Sequence, residues 1–132
     1  MPAAEFPETL DLSCGPVTAV DLALFAAASG DHNPLHLDAD VARAAGFERP
    51  VVHGMLTMAF AGRLITSHFG PGSLVRLHTR FTAAASLGDT ISLHGERAEL
   101  NSGLARYRVQ ATNQKGTALM NGEALVRSRT ST

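Results

Sequence analysis

The spacing of hydrophobic and polar residues changes midway along the chain, at Gly70-Pro71-Gly72. Beyond that turn Val75, Leu77, Thr79 and Phe81 alternate with Arg76, His78 and Arg80, which is the two-residue period of a strand. Gly88-Asp89, Asn101-Ser102-Gly103 and Asn113-Gln114-Lys115-Gly116 read as turns into further strands over 90–100, 104–112 and 117–128. Four strands in succession predict an antiparallel meander, with Leu10–Ser13 as a candidate fifth. Before the turn the pattern is helical. Thr18 and Asp21 have capping-box spacing, and Gly30 suits the left-handed cap that would end that helix, whose apolar residues include Val20, Ala23, Leu24 and Ala27. A short second helix starts after Asp38 or Asp40 and stops at Gly46, and Arg49-Pro50 forces an extended entry to the next element. From Gly54 to about Phe69 the chain is apolar on nearly every face, as expected of a helix surrounded by protein.

Helices first and strands second predict an α+β domain. A curved antiparallel sheet wrapped around the long central helix gives each apolar face a partner, and that arrangement is the hot-dog fold. The length of 132 residues, with 45% hydrophobic and 17% charged, fits one domain over residues 1–132. A core of Ala, Leu and Val without Trp predicts further burial against a second subunit. A net charge of −1 gives no basis for binding nucleic acid or an anionic membrane, which leaves small molecules. Arg106 with Arg108, or Arg76 with Arg80, share strand parity and could form a positive row for the phosphates of an acyl carrier, although solvated strand faces are the simpler reading. Cys14 is the only cysteine, which excludes an intrachain disulfide and fits a cytoplasmic location. MPAAEFPETLDLS lacks the basic start and apolar run of a signal peptide, and the apolar stretch 55–69 falls short of the ~20 residues of a membrane span, so a soluble chain is expected.

The chemistry-bearing residues concentrate in Ser29-Gly-Asp-His-Asn-Pro-Leu-His-Leu-Asp38, between apolar helices. Pro34 breaks any helix through this segment, so a loop can fold Asp31 and His36 toward one point. A carboxylate and an imidazole sharing one water can orient it, take its proton and return a proton to carbon. Gly54 opens the long helix, where amides lack internal partners, and its N–H could hold a thioester oxygen that gains negative charge. Taken singly, Asp31 also reads as a turn residue, Asn33-Pro34 as a loop signal, and His36 or His53 as a core histidine satisfied by backbone. Their combination favours chemistry. His32, His36, His53, Asp31 and Asp38 are metal-ligand types, but Pro34 spoils the helix that His32 and His36 would need; no metal and no cofactor is expected. Ser29 and Ser67 lack the nucleophile elbow of a serine hydrolase. Thr57, Met58, Ala61 and Gly62 read as core that can also line an acyl tunnel, and Thr57 is a substrate-contact candidate.

Phe25-Ala-Ala-Ala-Ser-Gly-Asp31-His-Asn-Pro-Leu-His36-Leu-Asp resembles the hydratase motif of the MaoC-like family, and Phe47-Glu-Arg-Pro-Val-Val-His-Gly-Met-Leu56 extends the likeness. With Arg80-Phe81 and Gly88-Asp89, it covers most of the chain from the first helix onward. The resemblance implies a dimer of hot-dog domains, homomeric or heteromeric, with the sheets joined edge to edge. It implies an (R)-specific hydratase or dehydratase that interconverts trans-2-enoyl and (3R)-3-hydroxyacyl thioesters of CoA by syn addition or removal of water. Asp31 and His36 match the family's acid/base pair and Gly54 its oxyanion donor, while Asn33 and His53 shape the pocket. A carrier-protein dehydratase subunit working with a partner chain and a hot-dog acyl-CoA thioesterase stay open as alternatives, since fold alone does not decide chemistry. Ala83-Ala84-Ala85 stand where a proline is often found, and Gly62 where some hydratases carry serine.

Overall fold

A computed structural model describes residues 6–127. Five strands form one antiparallel sheet, β1 Thr9–Cys14, β2 Leu74–Phe81, β3 Ile91–Asn101, β4 Leu104–Thr112 and β5 Ala118–Arg127, in the order β1-β3-β4-β5-β2. The helices are α1 Ala19–Ser29, α2 Ala39–Ala44 and α3 Gly54–Phe69, with a 3-10 turn at Pro34–His36. Ser128, the expected end of the last strand, lies outside the described residues, as does the start of the opening segment.

The sheet curls around α3, which touches all five strands. Leu56, Phe60, Ala61, Leu64, Ile65 and Phe69 turn from the helix into the core. Leu10, Ile91, Leu93, Ala105, Tyr107, Val109, Leu119, Ala124 and Val126 meet them from the concave face of the sheet. Each Leu or Ile buried in this way contributes about 1.5–3 kcal/mol. The arrangement is the hot-dog fold expected of the sequence.

The simple meander is not what forms. β3, β4 and β5 follow one another, but β2 pairs with β5, from Leu77 opposite Ala124 to Phe81 opposite Met120, and β1 takes the other edge against β3. Only short turns close hairpins, and the segment 82–90 between β2 and β3 is instead drawn across the end of the sheet. There Val52 N–H donates to the Ala85 carbonyl at 2.8 Å and Val51 bridges Ser86. The Thr18–Asp21 capping box forms and Gly30 closes α1 at φ 78°. However, α1 buries Leu22 and Ala26 while Val20 and Leu24 face out. Almost every residue of α1 is apolar, so the pattern offers more than one stripe, and the face carrying Leu22, Phe25 and Ala26 is the one that meets the core. Nor is α3 enclosed on all sides, since Met55 and Arg63 lie on an open face.

The positive row that Arg106 and Arg108 could have formed, the less simple of the two readings, is neutralised by the sheet register. Arg106 meets Glu123 and Glu99 at 3.1 Å each, and Arg108 approaches Glu96 at 3.9 Å. Arg76 and Arg80 join no ion pair among the described residues. No described helix is long and apolar enough to cross a membrane.

Candidate active site

The loop after α1 is built by short-range capping. Ser29 Oγ accepts from the Asp31 amide at 3.2 Å, Asp31 Oδ1 from the Asn33 amide at 3.3 Å, and Asn33 Oδ1 from the Leu35 amide at 3.0 Å. Asn33 thereby caps the turn that carries His36, with Pro34 at its first position. The chain then returns beside itself, because the Val51 amide donates to the Leu35 carbonyl at 2.9 Å. Three stretches distant in sequence so converge: the loop after α1 with the 3-10 turn that ends it, the start of α3, and segment 82–86.

His36 Nδ1 lies 2.7 Å from the Val51 carbonyl. A carbonyl only accepts, so Nδ1 carries the hydrogen and Nε2 of the neutral ring keeps its lone pair. That Nε2 faces Asp31 Oδ2 at 3.6 Å, too long for a direct hydrogen bond but short enough for one water to reach both. The Asp31 side chain is 52% exposed and that of His36 only 13%, so the carboxylate stands at the mouth and the imidazole inside it.

His36, Gly54 and Thr57 line a pocket of about 320 Å³ whose other walls include Val52, Phe81, Ala84 and Leu119. Gly54 is the first residue of α3, and its amide finds no acceptor among the described residues. A Cβ at this position would lie 3.5 Å from the Phe81 ring, inside the space the pocket keeps open. Thr57 is 4% exposed. Asn33 and His53 hold the lining residues from outside the pocket. His53 is wholly buried behind His36, its Nε2 3.2 Å from the Asp31 carbonyl and its ring stacked on His36 with centroids 3.8 Å apart and planes 20° from parallel.

A metal fits poorly here. Ligand atoms of Asp31, His36 and His53 lie within 4.8 Å of one another. An imidazole lone pair lies in its ring plane, however, and two nearly parallel stacked rings cannot aim theirs at one ion. A wider cleft of about 450 Å³ runs past His94, Glu96 and Arg108 on the outer face of the sheet. His94 is committed there to Asp11 at 2.7 Å, a hydrogen bond that, with Glu96 adding to it, raises its pKa above the ordinary histidine value.

Three features of the site have no counterpart in the sequence reading: the Val51 carbonyl that sets the His36 tautomer, the Phe81 ring facing Gly54, and the wall made by Ala83–Ala85. The run of small residues after Phe81, where the alternation stops, is the one signal that pointed toward a close backbone approach.

Known proteins resemble the chain in sequence and fold. The family model described as MaoC like domain matches residues 7–118. The (R)-specific enoyl-CoA hydratase of Aeromonas caviae is 36% identical over 113 residues, 83% of this chain and 84% of that protein. The 3-hydroxyacyl-thioester dehydratase Y of Mycobacterium tuberculosis is also 36% identical, over 119 residues, and the match covers 86% of this chain but only 40% of that longer protein. Among solved structures, the unliganded R-hydratase PhaJ1 from Pseudomonas aeruginosa superposes with a TM-score of 0.85 at 34% identity, covering 91% of this chain and 79% of its own.

Proposed function

The chain belongs to the MaoC-like domain family, and from that premise we propose that it is an (R)-specific hydro-lyase that interconverts trans-2-enoyl-CoA and (3R)-3-hydroxyacyl-CoA. The observation that carries this reading is the meeting of Asp31 and His36 at 3.6 Å, with His36 and the Gly54 amide, unpartnered among the described residues, lining one pocket. In the hydration direction one water bridges Asp31 Oδ2 and His36 Nε2. The pair takes a proton from it, the oxygen bonds to C3, and the thioester oxygen gains the displaced charge against the Gly54 N–H. The pair then returns that proton to C2. Both new bonds form on the face where the pair stands, which makes the addition syn, and no group other than water is consumed.

CoA is favoured as carrier because the relative matched over most of both chains acts on enoyl-CoA. A homodimer is part of the proposal, with the edge of β2 that no described strand pairs, and the exposed Val75 and Phe81 upon it, as the contact. A cytoplasmic site of action goes with the free thiol of Cys14. The test is to offer (3R)- and (3S)-3-hydroxybutyryl-CoA separately and follow the rise of conjugated-enoyl absorbance. Dehydration of the (3R) isomer alone supports the proposal. Equal use of both, or release of free thiol from saturated acyl-CoA in place of dehydration, overturns it.

A further inference from the structure

His53 touches all three parts of the apparatus. Its ring lies flat on His36 at 3.8 Å, its Nε2 meets the Asp31 carbonyl at 3.2 Å, and it immediately precedes Gly54 as the N-cap of α3, its own carbonyl accepting from the Leu56 and Thr57 amides at 3.0 and 3.3 Å. Phe25 packs edge-on against the ring with centroids 4.9 Å apart, and the wholly buried imidazole is held between these neighbours and the core. We infer that His53 is a positioning residue, a neutral imidazole that locks His36 in one ring orientation and fixes Asp31 and the Gly54 amide relative to it.

A core histidine with no such duty would be better replaced by an apolar side chain. His53 Nδ1 is buried without a hydrogen-bond partner, and an orphaned buried polar atom costs stability that Phe or Leu would not. What the imidazole offers in return is a flat face and one donor in the same side chain. Since the Asp31 carbonyl accepts, Nε2 carries the hydrogen and Nδ1 is bare. Burial pushes the ring below the ordinary histidine pKa; the bond to the Asp31 carbonyl works against this and the nearby His36 reinforces it. His53 therefore stays neutral and does not compete for the proton that the catalytic pair handles. The titratable groups facing it are Asp31 from the loop after α1 and His36 from the 3-10 turn. The stack also blocks the ring flip of His36 that would replace Nδ1 by Cδ2 at the Val51 carbonyl and Nε2 by Cε1 beside Asp31.

The inference rests on the hydro-lyase reading for its kinetic consequence only, so the experiment has an arm that needs no substrate. His53→Phe keeps the stacked face and loses the donor, while His53→Gln keeps a donor of similar reach and loses the face. Imidazole nitrogen–proton NMR on the wild-type protein at neutral pH should show His36 protonated at Nδ1 and His53 at Nε2. His36 should keep that tautomer in His53→Phe and become a mixture in His53→Gln. Both variants should lose roughly tenfold or more in kcat, with KM changed less than about threefold, because a misplaced acid/base pair affects the transition state more than binding. A single unchanged His36 tautomer in His53→Gln, with kcat within about threefold of wild type per folded molecule, would overturn the inference. So would a wild-type His53 protonated at Nδ1, a measurement that stands even if neither variant folds. Failure of wild type to hydrate any enoyl thioester would remove the proposed function and leave the tautomer result to decide this one.

Discussion

Gly54→Pro deletes one hydrogen-bond donor and should leave the fold intact. Proline is well tolerated at the first position of a helix, where the missing N–H has no intrahelical partner, and Gly54 occupies that position. The residue before a proline must be extended, and His53 already is, at φ −55° and ψ 132°. The nearest atoms to a new Cβ are those of the Phe81 ring at 3.5 Å, an ordinary contact. Replacing glycine by proline at a compatible site restricts the unfolded chain and stabilises by about 0.4–1 kcal/mol. Thermal unfolding should therefore rise by roughly 1–5 °C. Activity should move the other way. Losing an oxyanion donor costs about 2.7–4 kcal/mol, a fall of roughly 10²–10³ in kcat. Gly54→Ala is the control, since it adds the Cβ but keeps the amide, and it should retain more than about a tenth of wild-type kcat. The assay is loss of conjugated-enoyl absorbance under saturating trans-2-enoyl-CoA, with calorimetry on the same samples. A folded Gly54→Pro enzyme within about threefold of wild type would refute the placement of the developing charge at the start of α3.

Other expectations concern the frame. Protonated His94 gains Asp11 and Glu96 on folding, so its folded pKa is raised; that stabilisation is fully present below the unfolded value of 6.5 and fades as pH rises through the folded one. Urea unfolding should therefore show a larger wild-type advantage over His94→Gln at pH 5.5 than at pH 8.5, and an equal gap at both would contradict the ion cluster. Gly122→Ala should destabilise by about 2 kcal/mol or more, because a Cβ there would lie 2.7 Å from the Thr79 Cα and force β2 off β5; unchanged thermal unfolding would contradict the close approach. Tyr107→Phe removes the bond from the buried hydroxyl to the Pro7 carbonyl at 2.6 Å and should cost about 1 kcal/mol by denaturant titration.

What the sequence disclosed depends on the range of the forces involved. The limits of α3, the capping box at Thr18–Asp21 and the glycine cap at Gly30 rest on interactions within a few residues, and the structure places them where the pattern does. The placement of β2 beside β5 rests on bonds between residues more than thirty positions apart, Thr82 to Leu119 at its end among them, and the crossing segment is held by another, Val52 to Ala85; no local period encodes these. The site divides in the same way. Asp31, His36 and Gly54 were legible because Pro34 and the helix start constrain them locally. Phe81 and Ala83–Ala85 were not legible as pocket walls, since they reach the pocket only through the crossing segment. Val20 and Leu24 mark the limit of hydrophobic patterning: in a helix with apolar residues on most faces, the core decides which stripe is buried.

The central claim is that Asp31 and His36 together add water to an enoyl thioester, and hydration of crotonyl-CoA by wild type and Asp31→Asn side by side tests it most directly. The asparagine can keep the Oδ1 bond from the Asn33 amide, so the loop should survive while the proton acceptor is lost. Loss of enoyl absorbance with wild type, and a rate at least about 10³-fold lower with a variant of unchanged thermal stability, is the predicted result. Equal rates from the two proteins would contradict the account.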